Sequence, residues 1–278
     1  MRVPAGDLVF DVEVSGPEDG EPVLLLHGFP QSRRAWDQVV PALHAAGLRT
    51  IAPDQRGYCD GARPEGADSY ALPLLAGDAV AILDALGIES AHVVGHDWGS
   101  VVAWYLAARH TGRVRTLTAI SFPHLEAYWY ALRNDPLQRQ LSQYVAYFVS
   151  PDSTDGMLAD GAEPLRSLFG DEVDPDQVKH YLDLHTRPGV LDATLNWYRS
   201  GSLLAEHEGL GPVPVPTTYI SSDGDRAASR VAVDRTAQHV TGPYRFVLLE
   251  GVTHWQPEQA PERITEEILR RVNQCQGR

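Results

Sequence analysis

Between residues 91 and 110 an apolar β-type run, Ala-His-Val-Val-Gly-His, passes within a few residues into the helical pattern Ser-Val-Val-Ala-Trp-Tyr-Leu-Ala-Ala-Arg-His. The junction reads Gly95-His96-Asp97-Trp98-Gly99. This is the spacing of the nucleophile elbow G-x-S-x-G, with aspartate at the apex. Such a turn holds its apex residue in an unfavourable backbone conformation. Side chains two before and two after the apex would collide, which accounts for Gly95 and Gly99. The turn lifts the apex side chain above the carboxyl end of the sheet. There it meets the free N–H groups and positive dipole of the next helix. The competing reading of Asp97 is an ordinary N-cap, so the rest of the chain must decide.

The surrounding rhythm sets the fold class. Strand patterns at 22–28, 49–54, 91–96 and 114–124 alternate with helical patterns at 35–47, 74–87 and 100–110. That alternation predicts a mostly parallel sheet with helices on both faces. From about residue 125 the rhythm changes to helical patterns with no convincing strand between them. A Pro-rich segment at 209–222 then runs into a strand, with a further strand at 244–251 and a terminal helix at 260–275. The expected organisation is an α/β core over 1–124 and 209–278, with a helical cap, 125–208, inserted before the last strands. At 278 residues this is one core plus an insertion.

Bulk properties narrow the partners. The net charge of −14 argues against nucleic acid and anionic membranes, whose phosphates would repel the chain. Cys59 and Cys275 are far apart and in no CxxC pattern, which suggests reduced thiols and no metal knuckle. The N-terminal residues carry no secretory h-region, and the longest apolar runs fall short of a membrane span. The expectation is a cytoplasmic protein with no membrane partner.

Asp97 needs no base to become a nucleophile, because a carboxylate is ionised at neutral pH. Attack on an acyl carbon would give only an anhydride. Attack on an sp³ carbon bearing a leaving group gives an alkyl ester, which water can hydrolyse at the carboxyl carbon. The apex aspartate therefore selects carbon–oxygen or carbon–halogen electrophiles over esters and amides. Hydrolysis then needs a base and its orienter, which follow an elbow nucleophile in chain order. His254, between the last strand and the last helix, is the candidate base. The loop after residue 222 offers Asp223 and Asp225, and Asp225 is preferred because the loop has cleared the strand end there. The oxyanion hole requires two backbone N–H groups. Trp98 supplies one, and Phe29, in the turn His27-Gly28-Phe29-Pro30 after an early strand, supplies the other. His180, His185 and His207 read as surface residues off the spacing of a helical metal pair, so no metal and no cofactor are expected.

On these residues the chain resembles the α/β-hydrolase fold and, within it, the epoxide hydrolases. The resemblance spans nearly the whole length and rests on HGFPQSRRAW, PDQRGY, GHDWGS, LNWYR and GVTHWQPEQAPE, in that order. It implies Asp97 as nucleophile, His254 as base, Asp225 as its orienter, and the Phe29 and Trp98 amides as oxyanion donors. It also implies two cap tyrosines that hold and protonate the leaving epoxide oxygen. Tyr198 in LNWYR matches one; the Y-x-x-x-F register selects Tyr144 with Phe148 for the other, leaving Tyr147 to core packing. His27, Pro30, Trp197 and Trp255, with the other aromatic residues, are expected to line an apolar substrate pocket between core and cap. The implied partner is a small apolar epoxide, and a homodimer is the assembly left open. Cys59 and Gly61 stand where relatives usually carry glycine and serine, and Ser222 where a glycine usually precedes the acid.

The strongest rival is a haloalkane or fluoroacetate dehalogenase, which shares the aspartate, the base and the fold. Here tryptophan, not arginine, follows the nucleophile, no arginine occurs in the 74–87 helix, and the LNWYR tyrosine suits an alkoxide. A non-catalytic scaffold would be marked by loss of Asp97 or His254, and both are present.

Overall fold

The computed structural model describes residues 1–203, 209–275 and 277. Strands β1 (Arg2–Ala5), β2 (Leu8–Ser15) and β3 (Glu21–Leu26) are followed by a 3-10 turn at Arg33–Trp36, helix α1 (Val40–Ala45) and β4 (Leu48–Pro53). Helix α2 (Leu72–Ala85), β5 (Ala91–His96), α3 (Trp98–Arg109) and β6 (Val114–Ile120) complete the first part. The helical pattern expected over 35–47 thus divides into a 3-10 turn and a short helix that restarts with Pro41 in its first turn.

Among the described residues six helices then intervene before the next strand: α4 (Leu125–Asn134), α5 (Pro136–Leu141), α6 (Gln143–Phe148), α7 (Ser153–Arg166), α8 (Pro175–His185) and α9 (Val190–Arg199). Helix α7 is broken at Ala159–Ala162, where Asp160, Gly161 and Ala162 take positive φ. Strand β7 (Thr217–Ser222), helix α10 (Arg230–Arg235), β8 (Tyr244–Leu249), α11 (Gln256–Gln259) and α12 (Pro261–Cys275) close the chain. His207 and the expected cap boundary at 208 lie outside the described residues.

The strands form one sheet in the order β1-β2-β4-β3-β5-β6-β7-β8. The pairs β1/β2 and β2/β4 are antiparallel and all others parallel. The central strands are apolar on both faces because helices cover both. Along β3, Leu24 and Leu26 enter the core under α2 and α3, whereas Val23 and Leu25 enter the one beneath α1 and α12. The C-terminal helix presents Ile264, Ile268 and Val272, at i, i+4 and i+8, to that second face.

The elbow is built as its glycines demand. Asp97 has φ 53° and ψ −119°. A Cβ on Gly95 would fall on the Gly99 carbonyl oxygen, and one on Gly99 would fall on the Leu26 carbonyl oxygen. Neither contact is with a flexible side chain, so no rotamer change relieves it. Gly99→Ala is therefore expected to destabilise the protein by about 1–3 kcal/mol or more. Urea unfolding measures this, and an unchanged midpoint would mean that α3 can move off β3 without cost.

Candidate active site

The carboxyl ends of β3, β5, β6 and β7 bring together residues that are far apart in sequence. Gly28 follows β3, and a Cβ there would strike the Asp97 side chain, so only glycine lets the loop pass this close. The next residue, Phe29, donates its N–H to Asp97 Oδ1 at 2.8 Å. The Trp98 N–H, at the start of α3, also hydrogen-bonds the carboxyl group. Both amides named as oxyanion donors thus converge on one carboxylate. Its other oxygen, Oδ2, lies 3.6 Å from His254 Nε2. Asp97 is only 6% exposed. Burial pushes its pKa up from the usual carboxylate value, opposed by the His254 charge and the Trp98 and Phe29 amides.

His254 follows β8, and its Nδ1 lies 3.0 Å from Asp225 Oδ1. A carboxylate oxygen only accepts, so Nδ1 carries the proton and Nε2 faces Asp97. Burial opposes the charged imidazolium, but the Asp225 charge, its hydrogen bond and the Asp97 charge outweigh it and raise the pKa to about 9. Burial alone would raise the pKa of Asp225. The His254 charge and hydrogen bonds from His254, Ser121 and the Ala227 N–H hold it below the usual value. Asp223, the alternative acid, instead accepts from the Gly251 N–H at 2.8 Å.

The inserted helices contribute aromatic rings. Tyr198, on α9, is 3% exposed and stands edge-on to Trp98 at 5.1 Å and to Phe29 at 5.5 Å between ring centroids. Tyr144, on α6, stacks edge-on against Phe148 at 5.4 Å and Tyr198 at 6.3 Å. Burial holds both phenols well above their usual pKa, reinforced by the Asp97 charge. They therefore remain proton donors at neutral pH.

Tyr147 does not pack in the core as expected: it is 45% exposed. Helix α6 buries Val145 and Phe148, and on so short a helix the position of Tyr147 turns away from that face.

The expected pocket-lining residues differ in position. Pro30 follows Phe29 through a cis peptide and is buried. Trp197 packs edge-on to Trp98 at 5.5 Å while its Nε1 donates to the Arg56 carbonyl at 2.8 Å. Trp255 stands edge-on to His254 at 5.0 Å. His27 is wholly buried, with Nδ1 against the Gly28 carbonyl and Nε2 accepting from the Gln55 N–H. It braces the loop that carries Phe29.

His185 corrects the surface reading outright: it is 0% exposed. Val178, Tyr181, Leu182 and His185 share the buried face of α8 at i, i+3, i+4 and i+7. That periodicity was readable in the sequence and outweighs the polarity of a single imidazole. His180, by contrast, is partly exposed. Among the described residues, no group of three or more His, Cys, Asp or Glu side chains is placed to hold a metal ion. No described helix is long and apolar enough to cross a membrane.

Several supporting residues receive no role from the sequence, although Gln31, Gln256 and Glu258 stand within HGFPQSRRAW and GVTHWQPEQAPE. Gln256 Nε2 donates to Asp225 Oδ2 at 3.0 Å, and Ser121 Oγ lies 3.3 Å from His254 Nδ1. Gln31 Oε1 accepts from the Gly28 N–H and contacts His96 Nδ1, while Gln31 Nε2 donates to Glu258 at 2.7 Å. Tyr181 of α8 donates to the same Glu258 oxygen at 2.9 Å. This network ties the Phe29 loop, the elbow, the His254 loop and an inserted helix together.

A buried apex carboxylate, two amide donors and a histidine–carboxylate pair on a mostly parallel sheet define a hydrolase of the nucleophile-elbow class. The chain belongs to the alpha/beta hydrolase fold family, whose model matches residues 21–261. A protein of Mycobacterium tuberculosis named Epoxide hydrolase A is 32% identical, covering 92% of each chain. The AB hydrolase superfamily protein YfhM of Bacillus subtilis is 34% identical over 94% of this chain and 93% of its own. The crystal structure of epoxide hydrolase A from Mycobacterium thermoresistibile superimposes with a TM-score of 0.85 at 26% identity, covering 98% and 97% of the two chains.

Proposed function

We propose that this protein is an epoxide hydrolase that works through a covalent alkyl-enzyme ester. The observation that carries the reading is two neighbouring phenols, the buried Tyr198 and the partly buried Tyr144, beside a carboxylate pinned by two backbone amides. The kinship with Epoxide hydrolase A supports it. The six helices between β6 and β7 act as the cap, and the substrate is a small apolar epoxide held between cap and core.

The geometry supports one order of steps. Oδ1 of Asp97 is held by the Phe29 amide, so Oδ2 attacks the epoxide carbon. A C–O bond forms as the ring C–O bond breaks. The departing oxygen is hydrogen-bonded by the two phenols and takes one proton from them. Ester formation removes the Asp97 charge, one of the supports of the His254 imidazolium, so its pKa falls, and Nε2 releases its proton to solvent and becomes a base, regaining a proton once the Asp97 charge is restored. His254 takes a proton from water, and the hydroxide adds to the Asp97 carboxyl carbon. The resulting oxyanion is Oδ1, already held by the Phe29 N–H, with the Trp98 N–H the second donor at the carboxyl group. Collapse expels the diol oxygen, which takes the proton from His254. The proton left on the Asp97 carboxyl restores the tyrosine.

The test is a paired assay of the purified protein with styrene oxide and a simple haloalkane, following diol and free halide. Diol without halide is the expected result. Halide without diol would move the protein to the dehalogenases and reduce the tyrosines to pocket lining. With styrene oxide, Tyr198→Phe removes a proton donor without changing the packing, and kcat is expected to fall by about 10²-fold or more. A kcat within about twofold of wild type would show that oxygen does not depart toward that phenol.

A further inference from the structure

His185 holds an unusual position beside the site. Its Nδ1 lies 2.9 Å from the Tyr181 carbonyl oxygen. A carbonyl only accepts, so Nδ1 carries the proton and Nε2 is a bare lone pair. Burial pushes the pKa of the ring down to about 4, so it stays neutral and this tautomer persists. Nε2 is buried, and no protein atom among the described residues hydrogen-bonds it. The ring stands edge-on to Phe29 at 5.8 Å and to Tyr58 at 5.6 Å. Phe29 supplies the amide that holds Asp97, and its ring also packs on Tyr198 and Phe148. The imidazole therefore stands among the aromatic rings beside the reacting carboxylate.

A buried acceptor with no donor is destabilising, and an apolar side chain of similar shape would avoid that cost. An arriving hydrogen-bond donor would recover it. We propose that His185 Nε2 is a specificity-determining acceptor, and that the preferred epoxide carries a hydroxyl or N–H group that donates to it. This rests on the epoxide-hydrolase reading and names its substrate class more narrowly. Substrates without the donor leave the lone pair buried and unpaired. A site built to hydrogen-bond a substrate group discriminates strongly against the analogue that lacks it.

The experiment compares 3-phenylglycidol with the same epoxide bearing methyl in place of the hydroxyl, using wild-type protein and His185→Phe. For the wild type, kcat/KM is expected to favour the alcohol by about 10-fold or more. In His185→Phe that preference should vanish or reverse, and in His185→Gln, which keeps an acceptor, part of it should return. A wild type that prefers the methyl analogue or treats the two alike overturns the proposal, whether or not the variants fold. So does an unchanged ratio in folded His185→Phe. Diol from neither epoxide, nor from styrene oxide, overturns the epoxide-hydrolase reading and this inference with it. Diol from both without preference removes only this one.

Discussion

Asp97→Ala is expected to abolish diol formation, with kcat falling by more than about 10⁴-fold. The effect is large because the residue serves in both steps. On the proposed route Oδ2 is the attacking atom, and the same carboxyl carbon is the centre that water must later attack. The substitution also leaves the Phe29 and Trp98 amides without the acceptor they now share. The Asp225–His254 pair and the tyrosines would remain, so any hydrolysis left over would come from direct attack of water on bound epoxide. Chromatographic diol analysis checks the prediction, with circular dichroism to confirm that the elbow still folds. Undiminished turnover would sink the covalent route entirely.

His254→Ala separates the two steps. Alkylation depends on Asp97 Oδ2 and the tyrosines, and neither requires His254 as a base. Hydrolysis does require it, because Nε2, 3.6 Å from Asp97 Oδ2, is the group placed to take the proton of the attacking water. The variant is expected to release one equivalent or less of product and to accumulate an ester. Intact mass should rise by the mass of the epoxide, and the adduct should map to the peptide containing Asp97. Wild-type protein under the same conditions should show little adduct. Loss of activity without any mass increase would place His254 in the first step, or show that no ester forms.

Much of this site was legible before any tertiary contact was known, for a local physical reason. The elbow is a short-range object: Gly95 and Gly99 are required by clashes with backbone atoms, and those clashes follow from the turn itself. The alternation of strand and helix patterns likewise forecast a mostly parallel sheet, and chain order then placed His254 after the last strand. The split of the 35–47 pattern around Pro41 shows where local reading loses boundaries. Proline restarts a helix but does not say whether the preceding turn is α or 3-10.

What periodicity cannot supply is the identity of the facing surface. Tyr144 and Tyr147 are three residues apart on the same short helix. Only the packing of α6 against Phe29 and Tyr198 decides that one enters the site and the other meets solvent. Asp223 and Asp225 are separated in the same way, by the reach of His254 across 29 positions of sequence. His185 is the sharpest case, since its apolar neighbours announced a buried face while its polarity suggested a surface. Ser121 stands in no motif, and Gln31, Gln256 and Glu258 stand in motif segments that do not reveal their roles, because those roles consist of hydrogen bonds to residues brought near only by folding. The sheet, the strained turn and the carboxylate at its apex follow from the chain's order of residues alone, all consequences of short-range sterics and side-chain chemistry. The tertiary structure decided which acid, which phenol and which buried lone pair surround that carboxylate, because those choices depend on directions in space that a chain acquires only when its elements pack.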